Sequence, residues 1–207
     1  MTFDKIKPQD YENWYSSKEG LYFDKREKEL IAKMIEFKPC QSLLEIGCGT
    51  GHFLKWFENF ELNLTGIDSS RKMIEFGSGF LNKNTKLEVQ DAESLSFEDS
   101  SFDIVVFITS LEFINNPQDA LKESLRVAKE KVFVSFLNKL SLLSLKRGIK
   151  GLFKDSIYNQ GTFYSVFQMK QMIKNVDKNL KIKTGGIKTK LGSGALFSPF
   201  VGILIEK

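Results

Sequence analysis

The chain of 207 residues has little of what most covalent and metal chemistry uses. It holds two cysteines, Cys40 and Cys48, and one histidine, His52. Two cysteines eight apart around a short apolar run do not make a disulfide framework; they read as reduced, small apolar residues. A histidine base is excluded at every position but 52. No apolar run approaches the ~18 residues that span a bilayer. The first residues, Met1 to Pro8, lack the apolar stretch of a signal peptide, so a cytoplasmic protein without a transmembrane segment is expected. Internal repeats and low-complexity tracts are also missing. The length suits a single domain, and 42% hydrophobic with 27% charged residues is ordinary for a globular protein.

Charge is present, and unevenly. Residues 1–128 carry a net −7 and Lys129 to Lys190 a net +11, within a total of +4. A basic back part is a solvated surface, or it attracts an acidic substrate, a lipid surface or nucleic acid.

The rest of the chain is arranged around Leu43-Leu44-Glu45-Ile46-Gly47-Cys48-Gly49-Thr50-Gly51-His52-Phe53. A short apolar strand stops at three alternating glycines, and helical character resumes at Phe53. A turn without Cβ atoms lets a ligand lie against the backbone, and the helix that follows offers free N–H groups. The third glycine comes one residue too early for a dinucleotide fingerprint. The second strand, Leu62 to Ile67, ends in Asp68, an acid placed to accept both hydroxyls of a ribose. A third strand, Lys86 to Gln90, ends in Asp91-Ala92-Glu93. Phe102 to Ile108 is a fourth, apolar enough to be buried on both faces of a parallel sheet. Val132 to Phe136 is a fifth.

Helices are expected between them: one capped by Asp10, one over Phe23–Phe37 capped by Asp24, one through about Glu58, one from Arg71 to about Phe80, and one over Pro117–Ala128. A last helix, Val166 to about Val176 with Ser165 as its cap, precedes two strands, Leu180–Ile187 and Phe200–Glu206, joined by Gly192-Ser193-Gly194. A short connection pairs strands antiparallel.

The motif E-x-G-x-G-x-G, followed by Asp68 and by Asp91-Ala92 in order, resembles the class I S-adenosylmethionine-dependent methyltransferases, and within them the ubiquinone-biosynthesis type. The resemblance is strong over about residues 40–137 and holds in outline elsewhere. It implies an α/β, Rossmann-like doubly wound sheet of seven strands, mostly parallel with an antiparallel C-terminal strand, plus an inserted helical lid. It divides one methyltransferase domain into N-terminal helices (1–40), a cofactor-binding core (41–137), a lid insertion (138–164) and a C-terminal helix and strand pair (165–207). It implies S-adenosylmethionine as cofactor, held by Tyr15, Glu45, Gly47, Cys48, Gly49, Gly51, Asp68, Ser69, Asp91, Ala92 and Thr109. Two readings keep an alternative: Asp91 is also a turn-forming residue, and the N-terminal segment with Tyr11, Trp14 and Tyr15, which the resemblance implies folds over the cofactor, also serves to seal the core. The family's Pro-Gly-Gly turn before the fifth strand is replaced by Lys129-Glu130-Lys131, which implies a shorter connection.

Departures from the family's special motifs narrow the acceptor. Thr109-Ser110-Leu111-Glu112 stands where amide and adenine N-methylating relatives carry Asn/Asp-Pro-Pro-aromatic. Two thiols are too few for metalloid methylation, neither is placed as a cytosine-C5 nucleophile, and no acid cluster resembles a magnesium site. Direct in-line transfer to a small-molecule or lipid-like acceptor, acidic or membrane-associated, is the favoured reading. RNA or protein methylation through the basic third, and a non-catalytic sensor or partner subunit, are the alternatives. No metal is expected and no catalytic residue is assigned; Glu112, Tyr15, Tyr158 and Tyr164 are polar groups within reach of an acceptor. Lys139 to Lys154 reads as a basic amphipathic helix, either a lid packed on the domain or a membrane-surface element.

Overall fold

The computed structural model describes residues 7–141, 161–187 and 195–207. The amphipathic stretch beyond Ser141, Tyr158 and Gly192 to Gly194 lie outside them. Seven strands form one sheet: β1 (Ser42–Ile46), β2 (Asn63–Asp68), β3 (Lys86–Val89), β4 (Phe102–Ile108), β5 (Ala128–Leu137), β6 (Lys181–Gly186) and β7 (Phe200–Glu206). Their order is β3-β2-β1-β4-β5-β7-β6. The first five are parallel, and β7 runs antiparallel to both β5 and β6. The chain builds outward from β1 to β3, then returns to place β4 on the other side of β1. That reversal opens a crevice at the carboxyl ends of β1 and β4, the general place for a ligand in such sheets.

Both faces are covered, which is why β4 from Ile104 to Ile108 and β5 from Val132 to Phe136 are buried throughout and almost wholly apolar. Alternation divides their side chains. Val105, Phe107, Val134 and Phe136 face α5 (Pro117–Val127) and α6 (Val166–Val176), through Leu121, Leu125, Met169 and Ile173. Ile104, Val106, Ile108 and Phe133 face the opposite layer, with Ile31 and Ile35 of α2 (Lys18–Ile35) and Phe53, Leu54 and Phe57 of α3 (His52–Phe57). α4 (Arg71–Gly77) completes that layer through Ile74.

Several helix starts and ends differ from expectation. α1 (Pro8–Tyr15) is led by Lys7 and Pro8, and Asp10 lies in its first turn, where its charge meets the helix dipole. α2 begins five residues before Phe23, because the Ser17 hydroxyl accepts the N–H of Gly20 at 3.0 Å and caps a polar first turn. Asp24 therefore sits inside the helix and pairs with Lys28, one turn on, at 2.8 Å. α4 stops at Gly77, three residues short of Phe80. Lys129, Glu130 and Lys131 are no turn at all: β5 starts at Ala128, directly after α5, so the connection is shortened to nothing. Ser165 is the cap of α6 as expected, in a reciprocal pair with Gln168. Of the two cysteines, both free, Cys48 is buried but Cys40 is exposed.

Phe107 is fully buried at the centre of the sheet. Phe107→Ala is expected to lower the unfolding free energy by about 3–5 kcal/mol in urea titrations, the usual cost of emptying a core aromatic site.

Candidate cofactor site

Beyond Ile46 the chain turns through Gly47, Cys48, Gly49, Thr50 and Gly51 into α3. Gly47 has φ +72°, and a Cβ there would stand 2.5 Å from the Cβ of Ser110, so no other residue fits. Ser110 is itself fixed, its hydroxyl donating to the Ile46 carbonyl at 2.6 Å. The turn hangs from the tip of β2. The N–H groups of Gly47 and Cys48 both donate to the Ile67 carbonyl, at 2.8 and 2.9 Å. The Gly49 N–H donates to Asp68 Oδ2 at 2.8 Å, and the Ser70 N–H donates to Asp68 Oδ1 at 2.8 Å. One buried carboxylate thus holds the glycine turn and the entry to α4. A carboxylate oxygen can accept more than one hydrogen bond.

Glu45, one residue before the end of β1, is 2% exposed. Burial, then the negative charge of Asp68, pushes its carboxyl well above the ordinary range, against a hydrogen bond from the Leu54 N–H. Its Oε2 is buried and has no hydrogen-bond partner among the described residues. A strained-turn cradle, an orphaned buried oxygen and a second carboxylate suit a ligand with cationic groups and vicinal hydroxyls. S-adenosylmethionine has both.

The outer wall comes from α1 and α2. The Tyr11 ring lies against Gly49, 3.6 Å from where a Cβ would stand. Glu12 accepts a hydrogen bond from the Thr50 hydroxyl and lies 3.8 Å from His52 Nδ1. His52 Nε2 is 2.7 Å from Asp24 Oδ1, and the Tyr15 ring stacks on the imidazole at 3.6 Å between centroids. The Tyr11 and Tyr15 hydroxyls are 3.2 Å apart. Burial lowers the imidazole's affinity for a proton, but its hydrogen bonds to Asp24 and Glu12 outweigh that and raise it. Burial raises the carboxyls of Glu12 and Asp24, but the hydrogen bonds of Glu12 to His52 and Thr50, and of Asp24 to His52 and Lys28, together with the nearby positive charge, outweigh it and hold both below the ordinary value.

The expected site residues sort as follows. Glu45, Gly47, Gly49, Gly51 and Asp68 converge on one turn. Cys48 offers it backbone alone, since its thiol is tucked against Gly66 of β2, where burial pushes it well above the usual thiol value. Ser69 is exposed beside Asp68. The next segment starts alongside, with the Gln90 N–H donating to the Asp68 carbonyl at 3.2 Å. Asp91 Oδ1 accepts the Glu93 N–H at 3.0 Å, so it does form a turn, and Ala92 packs on the core. Arg126 of α5 braces this loop, donating to the carbonyls of Phe97 at 2.8 Å and Leu95 at 3.1 Å. Thr109 directly follows β4 at φ +47°, a left-handed conformation that a β-branched residue adopts at a cost of about 1–3 kcal/mol. Tyr15 packs on His52, while Tyr11 takes the place against the turn. Glu12, Asp24 and Lys28 are absent from the expected site, while Tyr11 belongs to the N-terminal aromatic segment and Ser110 to the stretch after the fourth strand that the sequence places beside it. Asp24 and Lys28 at helical i, i+4 spacing were the one readable signal.

A methyltransferase domain family matches residues 44–136. An uncharacterized protein of Methanocaldococcus jannaschii is 30% identical over 99% of this chain and 98% of its own length. A demethylmenaquinone methyltransferase of Renibacterium salmoninarum is 30% identical over 51% of this chain, which spans 44% of that protein. An S-adenosylmethionine-dependent methyltransferase structure from Thermotoga maritima superposes with a TM-score of 0.77 at 23% identity, over 96% of this chain and 95% of that one. The chain belongs to the class I S-adenosylmethionine-dependent methyltransferases. The methyltransferase has the seven-stranded sheet of that class, and its cofactor is S-adenosylmethionine.

Glu12, His52 and Asp24 form a latch that ties α1 and α2 to the start of α3, and it has a pH window. The imidazolium contributes below its ordinary value of about 6.5 and is lost as pH rises through its raised one; the carboxylates contribute above about 4 and are lost as pH falls. The latch is then tightest from about pH 4.5 to 6.5. S-adenosylhomocysteine affinity, measured by calorimetry, is expected to fall several-fold between about pH 6 and 9, and not to fall in His52→Asn. Tyr11→Ala is expected to weaken binding about tenfold, the worth of one aromatic contact.

Proposed function

We propose that this methyltransferase alkylates a small, largely apolar acceptor entering over the carboxyl ends of β4 and β5. The observation that carries the reading is a group of exposed apolar side chains at that edge: Leu140 (53%), Phe167 (74%), Leu196 (51%) and Phe197 (69%). Leu140 follows β5, and Leu196 and Phe197 precede β7, whose Phe200 pairs with Leu137 at the end of β5. Asn138 donates to the carbonyls of Leu196 at 2.8 Å and Ser198 at 3.1 Å, fixing this corner. Phe167 joins it because the Lys139 N–H donates to the Tyr164 carbonyl at 3.0 Å, just before α6. Single exposed apolar residues need no explanation, but several at the mouth of a binding crevice do. The relative named for demethylmenaquinone supports the same acceptor class.

On this reading the turn Gly47 to Gly51 and Glu45 hold the methionine end of the cofactor. Asp68 takes the ribose, Ser69, Asp91 and Ala92 flank the adenine, and Tyr11 covers the ligand with Tyr15 behind it. Thr109 stands where the acceptor arrives. When bound, S-adenosylmethionine supplies a methyl group already activated on a sulfonium. What remains for the chain is alignment and exclusion of water, and a base only where the nucleophile arrives protonated. His52 is committed to Glu12 and Asp24, which removes it from that role. Among the described residues no group of acids, histidines or cysteines is placed to hold a metal ion, and no helix is long and apolar enough to cross a membrane.

The test is transfer of tritiated methyl from S-adenosylmethionine to a panel of 1,4-naphthalenediol, a sterol, a fatty acid, tRNA and an unfolded protein. Label is expected in the solvent-extractable members, with little change between roughly 50 and 200 mM salt, across which nucleic-acid binding would collapse. Label in tRNA or protein alone would refute the reading. Phe167→Ser with Phe197→Ser is expected to raise the acceptor KM about tenfold, as for about 1.4 kcal/mol of lost apolar contact, and to leave S-adenosylhomocysteine affinity unchanged.

A further inference from the structure

A buried carboxyl stands at this same edge. The short 3-10 turn Leu111–Phe113 follows Thr109 and Ser110 beyond β4. Glu112 within it is 2% exposed. Its Oε1 accepts the N–H of Leu137, the last residue of β5, at 2.8 Å. Its Oε2 is buried and has no hydrogen-bond partner among the described residues. Residues 161 and 162 cross above it: the Thr162 N–H donates to the Glu112 carbonyl at 2.7 Å, and Gly161 packs against the Phe113 ring. A backbone amide needs only one neutral acceptor, which a glutamine would supply. A carboxyl with one oxygen left unsatisfied is a costly way to fill the position. Such a group persists where it has work to do.

We propose that Glu112 Oε2 is the proton acceptor of the methyl transfer, bonding the hydroxyl of an acceptor that enters over the apolar edge. This rests on the acceptor reading above. The O–H proton passes to Oε2, and the electrons it leaves on oxygen form the new oxygen–methyl bond. The methyl–sulfur bond breaks with its pair going to sulfur, and Oε2 later releases its proton to solvent. Charge balances: a carboxylate and a sulfonium are consumed, and a carboxylic acid and a neutral thioether result.

The electrostatics agree with the geometry. Burial raises the Glu112 carboxyl to about 7, against the Leu137 hydrogen bond that favours the anion. A base poised there is half-ionised near neutrality and suited to a hydroxyl of phenolic acidity. The titratable group facing it is Tyr164, whose phenol is raised first by burial and then by the charge of Glu112. Ser110, Phe113, Leu137, Asn138 and Thr162 around it are uncharged, and no cation among the described residues offsets the burial. The other candidate bases have partners elsewhere, His52 with two carboxylates and Tyr11 with Tyr15.

Glu112→Gln keeps the shape and an acceptor for the Leu137 amide, so a merely structural role would survive it. Two readouts decide. The first is the 13C carboxyl signal of Glu112 in the S-adenosylhomocysteine complex, assigned by its absence in the variant. A midpoint near 7 is expected; an ordinary carboxylate midpoint, or a group that stays protonated above about pH 9, overturns the proposal. The second is the pH profile of kcat/KM on 1,4-naphthalenediol. Wild type is expected to rise through the same midpoint. Glu112→Gln is expected to lose that limb and about 100-fold in kcat, with S-adenosylhomocysteine affinity unchanged, and Glu112→Asp to recover the limb. An identical limb in Glu112→Gln overturns the proposal. If only tRNA accepts label, the acceptor class falls by itself, and the same profile taken on tRNA still judges Glu112.

Discussion

The structure depends on one carboxylate more than on any other group. Asp68 ends β2, and its two oxygens receive the N–H groups of Gly49 and Ser70. The first bond stops the glycine turn from drifting off the sheet; the second sets where α4 begins. A charged acceptor makes both bonds stronger than neutral ones, and burial protects them from competing water. Remove the carboxylate and three elements lose their common point: the tip of β2, the turn after β1 and the start of α4. The wall built by α1 depends on it too, because Tyr11, Glu12 and Tyr15 rest on that turn and on His52 just beyond it.

From this point the sheet divides its labour. Its β1–β2–β3 half carries acids and an aromatic wall, suited to a cationic, hydroxyl-bearing cofactor. Its β4–β5–β7 half carries apolar side chains and one buried glutamate, which on the proposed reading meet the acceptor. Ser110 joins the halves, packed against Gly47 and bonded to Ile46. The strained Thr109 beside it is the position where backbone energy has been spent on geometry rather than stability.

Much of this was legible in the residues. The glycine turn, the five parallel strands and the reversed final pair follow from local pattern, since apolar runs and glycine spacing report backbone environment directly. Boundaries were legible only where a chemical signal marked them. Ser165 with Gln168 is such a signal; Ser17 is not, because the first apolar residues after it, Leu21 and Tyr22, are exposed and lie off the buried stripe of the helix. Lys129 to Lys131 stand where the family has its Pro-Gly-Gly turn, and that position reads as a connection although the residues already belong to β5. The latch of Glu12, Asp24 and His52 could not be read at all, because its partners are 12 to 40 residues apart in sequence and meet only once α1 and α2 fold back on the turn. For the same reason Tyr15 was chosen over Tyr11: both are aromatic, and only the helix's rotation decides which one reaches Gly49. Glu112 was visible as a polar group, but its burial is a property of β5 and of residues 161–164, which lie far along the chain.

The measurement that tests the account most directly is calorimetric titration of S-adenosylhomocysteine into wild type, Asp68→Asn and Asp68→Ala, each checked for folding by its urea midpoint. An amide preserves the size of the side chain but gives up one acceptor oxygen and the charge. The account predicts a loss of about 100-fold in Asp68→Asn and no measurable binding in Asp68→Ala, consistent with about 3 kcal/mol for a charged hydrogen-bonding group. Folded variants that bind within about twofold of wild type would contradict it and move the cofactor away from the tip of β2.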